Sequence, residues 1–277
     1  MGPPNQLFHY TSQEGILGIT RSKSIWATKI QFLNDRSEFF DAFEYARSEL
    51  KSHASEANDA ATSRLVDHAI QQLECFEALN VFVASFSEVP DLLSQWRGYS
   101  KNSVGYCLGF DAEMLKSTAE AGDFRLGRCV YEHQPKRDYI RQILAKHWAR
   151  FAEARGKPDF DFFICRDEFS EAFCRDVIDI APLWKSASFQ EEREWRLVSP
   201  LIATNNSRCD FRNGKHSLIP YYSLELKPAR DGAYFALVLV GPTREPSLAA
   251  KAVTSLFSRY GVKARGVRAS KIPFREV

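Results

Sequence analysis

Strand-like segments fall at the two ends of this chain, and helical segments fill its middle. A regular strand–helix alternation, which would build a doubly wound parallel sheet, is missing from the pattern. The order therefore predicts an α+β fold. At the amino end Leu7 to Thr11 reads as a strand. Gln13 to Arg21 reads as a helix with Ile16, Leu17 and Ile19 on its apolar side, and Ser24 to Thr28 as a second strand. Ser12 is placed to cap that helix, because a short hydroxyl satisfies a first-turn amide.

The middle is different in kind. Arg36 to Ala78 is helical and acidic, with nine carboxylates against four basic residues. Asn34 or Asp35 is its candidate cap, and a break is expected between His53 and Asn58. Charge runs are usually solvated faces, and this one is read that way. Val81 to Ser87 reads as a buried strand and Asp91 to Tyr99 as a short helix. Val104 to Phe110 and Leu126 to Tyr131 are strand-like. Two helices, Lys136 to Ala154 and Asp159 to Ile180, flank Gly156-Lys157-Pro158. Arg193 to Val198, Leu218 to Leu226 and Tyr234 to Val240 are strands by pattern, followed by a helix over Glu245 to Tyr260 and a last strand over Lys263 to Val267. The expectation is one α+β domain over residues 1–277 with helical insertions at about 36–79 and 136–180.

With 277 residues, 44% hydrophobic and 13% aromatic, the chain can bury a real core, and its composition excludes general disorder. A formal net charge of +2 carries no whole-chain signal for nucleic acid. No signal peptide and no membrane-length apolar run is visible, so the expected location is cytoplasmic, with no membrane partner. The six cysteines are scattered without a CxxC pair, so zinc is not expected and reduced thiols are. Residues 241–277 carry eight basic and two acidic residues. They either face a phosphate or neutralise acidic helices of the same chain.

Three segments carry candidate chemistry. In Leu7-Phe8-His9-Tyr10-Thr11-Ser12, His9 can hold a ligand hydroxyl through a fixed tautomer, or serve as a core histidine bonded to a carbonyl. In Ala84-Ser85-Phe86-Ser87, Ser85 and Ser87 share a strand face. Nearby, Gln95-Trp96-Arg97-Gly98-Tyr99 offers Arg97 to a phosphate, or to Asp91 or Glu88. In Glu191-Glu192-Arg193-Glu194-Trp195-Arg196-Leu197, a strand would put Glu192, Glu194 and Arg196 on one face. A helix would instead make Glu192 and Arg196 a local ion pair. The apolar alternation favours the strand.

These residues resemble the bacterial domain-of-unknown-function family 2971 (DUF2971). The matching pieces run in order: Phe8-His9-Tyr10-Thr11-Ser12, Ile25-Trp26-Ala27-Thr28, Phe32-Leu33-Asn34-Asp35-Arg36-Ser37-Glu38, Ser85-Phe86-Ser87, Gln95-Trp96-Arg97-Gly98-Tyr99, Glu192-Arg193-Glu194-Trp195-Arg196 and Ser270-Lys271-Ile272-Pro273-Phe274-Arg275. More distantly, the opening strand, helix and Ile25-Trp26-Ala27-Thr28 are similar to the start of ADP-ribosyltransferase-like domains. That resemblance implies split mixed or antiparallel sheets around a cleft, with NAD as substrate. It implies catalytic roles for Glu194, Glu192 and His9, and contacts to NAD from His9, Tyr10, Thr11, Trp26, Ser85, Ser87 and Arg97. The aromatic that would stack on nicotinamide stays open among Tyr10, Trp26 and Phe32. Tyr10 stands where many members have glycine. The implied activity is transfer of ADP-ribose to protein, nucleic acid or water, as in a toxin or antiphage effector. The alternatives are a non-catalytic nucleotide- or nucleic-acid-binding module on the same scaffold, or an RNA 2′-phosphotransferase-like enzyme.

Overall fold

The computed structural model describes residues 2–33, 36–77, 80–99, 104–203, 205–214 and 216–273. Asn34, Asp35, Phe274 and Arg275, and the side chains of Arg36, Ser37 and Glu38, lie outside that description. In chain order the elements are β1 (Gln6–Thr11), α1 (Gln13–Ser22), β2 (Ser24–Lys29), α2 (Arg36–Ala57), α3 (Ala60–Glu77), β3 (Phe82–Ser87), α4 (Leu93–Tyr99), β4 (Tyr106–Asp111), α5 (Ala112–Gly122), β5 (Arg125–Arg128), α6 (His133–Arg155), α7 (Phe162–Ile180), β6 (Glu194–Val198), β7 (Cys209–Asn213), β8 (Leu218–Glu225), β9 (Ala233–Phe235), β10 (Leu237–Val240), α8 (Pro246–Tyr260), β11 (Lys263–Ala264) and β12 (Val267–Ala269). Helices and a mixed sheet make a mixed α/β architecture. The chain divides into two units: residues 1–29, 81–129 and 190–277 carry the sheet, and residues 30–80 and 130–189 are helical.

The sheet unit joins ten strands in the order β12-β10-β4-β1-β3-β2-β8-β7, with β6 pairing β3 and β5. Its pairs are antiparallel except β10 with β12, and a separate two-stranded piece joins β9 to β11 in parallel. One sheet face packs a large core: Leu7, Phe86, Leu108, Phe110, Trp195, Leu197, Leu224 and Val238, with Ile16 and Ile19 of α1 and Val253 and Phe257 of α8. The other face buries a smaller cluster of Phe8, Tyr10, Trp96, Cys107 and Leu239. Strand alternation explains the division, since Leu7 and Phe8 point to opposite sides.

Local chemistry sets the boundaries. Ser12 Oγ accepts from the Gly15 amide at 3.2 Å and starts α1. Gly261, at φ +60, ends α8 in the left-handed conformation that costs glycine least. Several expectations need correction. The expected Tyr234–Val240 strand is two strands, because Ala236 leaves the run. The expected Leu126–Tyr131 strand ends at Arg128, and the expected last strand is two short pieces. α5 and β7 were not read from the sequence at all. The helix break, by contrast, falls at Asn58, whose φ is +48, inside the interval expected for it.

The helical unit packs α2, α3, α6 and α7 around Phe39, Phe43, Leu50, Leu65, Leu73, Ile140, Phe173 and Val177. Its acidic run is not wholly a solvated face: Glu49 takes Arg141 at 3.1 Å and Arg137 at 3.4 Å. Buried Lys136 donates to the Lys185 carbonyl at 2.7 Å, and His147 and Lys146 converge on Asp176 at 2.8 and 2.6 Å. Phe32, one candidate for an aromatic stack, lies in this unit with its ring exposed. Among the described residues no helix is long and apolar enough to cross a membrane. The six cysteines form no disulfide with one another; Cys107, Cys129 and Cys174 are buried, and Cys75 is exposed.

Candidate functional site

The sheet is irregular at β3. One edge of β3 is shared by two strands: β1 reaches it only at Phe8 opposite Ser87, and β2 only at Thr28 and Lys29 opposite Val83 and Phe82. Between those points, residues 84–86 have no strand partner on that edge among the described residues. The other edge pairs continuously with β6. Beyond Phe8, β1 stays paired with β4 and diverges from β3. His9 stands in the divergence. Its Nδ1 donates to the Ser85 carbonyl oxygen at 2.9 Å, a side chain standing in for a missing ladder bond.

That bond sets the tautomer. A carbonyl only accepts, so Nδ1 carries the hydrogen and Nε2 of the neutral ring is an acceptor. Burial pushes the His9 pKa below its ordinary value; the Ser85 bond opposes this and the charge of Arg212 adds to it. The ring is half-buried against Phe86 at 5.7 Å, and Nε2 has no hydrogen-bond partner among the described residues.

Register places the other candidates. Ser85 and Ser87 lie opposite Arg196 and Glu194, so these four share a sheet face. Tyr10 belongs to that face, because Phe8 pairs with Ser87. His9, Leu7 and Thr11 alternate to the other face. Of His9, Ser85 and Glu194, His9 reaches the backbone of Ser85 in the plane of the sheet, and the Glu194 carboxylate is on a face that His9 does not share.

Glu194 is buried and so is Arg196, with side chains 4% and 3% exposed, and they form a two-point pair at 2.8 and 3.4 Å. Glu192 is not on the strand. It closes a short 3-10 segment, Ala187–Glu192, and Arg193 at φ +43 breaks the alternation before β6 begins. The single strand face expected for Glu192, Glu194 and Arg196 therefore holds for the last two alone.

Most of the remaining motif residues hold one loop, residues 88–92. The Tyr10 hydroxyl donates to Val89 O at 2.8 Å and accepts from Leu92 N at 2.9 Å. Its ring packs edge-on to Trp96 at 5.0 Å, and burial pushes its pKa far up. Ser87 Oγ donates to the Glu192 carbonyl at 2.6 Å and accepts from Val89 N at 2.9 Å. Glu88 accepts from Trp195 Nε1 at 2.9 Å. Asp91 collects Trp96 Nε1 at 2.6 Å, Ser270 Oγ at 2.7 Å and Lys271 N at 2.9 Å. Three separated sequence motifs thus meet on one turn. Thr11 is buried against Gly15, where an added Cβ would collide with its hydroxyl. Arg97 is exposed on α4 and takes neither Asp91 nor Glu88, which have the partners just named. In the basic carboxyl segment, Arg265 is paired with Asp111 and Asp231 at 2.7 and 2.8 Å, not with the acidic helices.

Trp26 and Thr28 of β2 differ from these. The Trp26 ring stacks on Tyr221 of β8 at 4.7 Å, half-buried. Thr28 Oγ1 accepts from Arg212 Nη2 at 3.2 Å. Arg212 was missed in the sequence. Its strand, Cys209-Asp210-Phe211-Arg212-Asn213, is short and mostly exposed, and nothing local marks one arginine in it. Among the described residues no cluster of histidine, cysteine and carboxylate groups suits a metal ion.

Residues 95–197 match the family described as Protein of unknown function (DUF2971). The match runs from the Gln95-Trp96-Arg97-Gly98-Tyr99 motif to Leu197, so it includes the Glu194–Arg196 pair and leaves out His9 and Arg212. No curated protein and no solved structure matches the chain.

Proposed function

We propose that this protein binds a dinucleotide of the NAD type at the divergence of β1 and β2 from β3. The observation that carries the reading is His9. It is a neutral imidazole, fixed by its bond to Ser85 O, with an acceptor that has no partner among the described residues, at a break in the sheet. An acceptor of fixed tautomer suits a ribose hydroxyl, which donates to it. The Trp26–Tyr221 stack, on the face of Thr28 and Arg212, provides an aromatic surface for a planar ring, and the Arg212 charge acts on His9 from that face. The distant likeness of β1, α1 and β2 to ADP-ribosyltransferase-like domains names NAD among dinucleotides.

A second reading adds chemistry: ADP-ribosyl transfer or NAD hydrolysis, with Glu194 as the carboxylate. The ribose C1′–nicotinamide bond breaks and nicotinamide leaves with the bonding pair. Water or another acceptor attacks C1′ and gives up its proton to solvent. Glu194 would stabilise the cationic ribose by charge. Its pairing with Arg196 speaks for binding without turnover, because a neutralised carboxylate has little charge left to offer.

Titration calorimetry with NAD and ADP-ribose tests the first reading, and nicotinamide release tests the second. We expect binding of both ligands, weakened by His9→Ala. Folded protein that binds neither at millimolar concentration rejects the first reading. Binding without release under any acceptor rejects the second.

A further inference from the structure

Arg212 occupies β7, the last strand of the sheet order. Thr28 pairs with Tyr221 and Tyr221 with Asp210, so Arg212, two residues on, shares their face. This is how residues 184 positions apart come to be hydrogen-bonded. The guanidinium is poorly provided for. Its Nε is buried with no hydrogen-bond partner among the described residues. Among those residues no carboxylate pairs with it, and the groups acting on its charge are the Tyr99 and Tyr221 hydroxyls. Asp210 hydrogen-bonds Tyr221 instead, at 3.3 Å. An orphaned buried N–H calls for an explanation, and a half-buried guanidinium with no counter-ion among the described residues keeps charge to offer an anion.

Thr28 completes the picture. Its hydroxyl accepts from Arg212, so its own hydrogen is available to a second acceptor. A guanidinium fork beside a donating hydroxyl matches the oxygens of a phosphate. The Trp26–Tyr221 stack joins β2, the strand of Thr28, to β8, which pairs with both β2 and β7. We propose that Arg212 and Thr28 form the phosphate-binding subsite of a nucleotide ligand, with the aromatic stack taking the group that the phosphate bears. This deepens the dinucleotide reading and rests on it for the identity of the whole ligand.

The test is calorimetric titration of the full chain and of Arg212→Met, Arg212→Lys and Thr28→Val with inorganic pyrophosphate, ADP-ribose, NAD and adenosine. Circular dichroism and melting temperature check that each variant folds. We expect Arg212→Met to weaken pyrophosphate and ADP-ribose at least tenfold and to leave adenosine unchanged. Arg212→Lys should fall between it and the wild type, since lysine keeps the charge and loses the fork. Equal affinity of wild type and a folded Arg212→Met for pyrophosphate and ADP-ribose overturns the subsite, as does a wild type that binds neither. The outcomes separate the two claims. Arg212-dependent pyrophosphate binding without NAD binding keeps the subsite and rejects NAD. NAD binding indifferent to Arg212 does the reverse.

Discussion

Two arginines share one face of the same sheet and have opposite circumstances. Arg196 sits on β6 in the sheet interior, almost fully buried, with Glu194 on its own strand two residues away. Arg212 sits on the terminal strand β7, half-buried, with a threonine hydroxyl and no carboxylate among the described residues. Strand geometry makes the first arrangement local: residues i and i+2 point the same way, so Glu194 and Arg196 meet wherever β6 goes. The second arrangement requires three strands in register. A charge neutralised within its own strand has little left for a ligand. A charge that the fold brings inward without a counter-ion is the better candidate for recognition. Side-chain type alone does not distinguish them.

The largest expected effect breaks the paired side of this contrast. Glu194→Ala strands a buried guanidinium and should destabilise the fold by about 3–5 kcal/mol in chemical denaturation, whereas the double change Glu194→Met with Arg196→Leu should lie near wild type. A single variant as stable as wild type would show that the pair is not what holds Arg196. Next comes Tyr10→Phe, which removes a hydroxyl satisfying both Val89 O and Leu92 N; the loss should be about 1–3 kcal/mol. Arg212→Met should do the opposite of Glu194→Ala: stability should change by less than about 1 kcal/mol, with a gain as readily as a loss, because the change removes an unpartnered donor. A large loss there would mean that Arg212 serves the fold.

The smallest effect is a pH dependence. His9 has a folded pKa below its unfolded value near 6.5, so below that pH the unfolded chain binds more protons. Its contribution is therefore intact above pH 6.5 and declines as pH falls toward the folded value. His9→Asn should flatten that part of the wild-type stability profile. Unchanged slopes would place the imidazole in a more solvated setting. Arg212 is the charged neighbour acting on His9, so Arg212→Met should also shift the profile.

Much of the fold was readable locally. β1, α1 and β2 follow apolar periodicity, and Ser12 caps α1 as its hydroxyl chemistry requires. The tandem helices of the middle are equally plain. The failures have physical causes. Glu192 looked like strand because the apolar alternation of Trp195 and Leu197 extends backward on paper, but Arg193 turns left-handed and stops it. Tyr10 and Ser87 looked like ligand contacts, yet their polar atoms are engaged by the backbone of Val89, Leu92 and Glu192. Ser85 was named for its hydroxyl, and the carbonyl of the same residue holds His9 instead.

Sequence alone settled most of the helices and strands, that Glu194 and Arg196 are neighbours, and that His9 lies in an apolar strand before a cap. These are consequences of spacing along one backbone. Tertiary structure alone decided that β1 and β2 divide one edge of β3, and that Thr28 receives Arg212. Pairing register is a property of strands brought together by the packing of a whole core, and no short window of residues contains it.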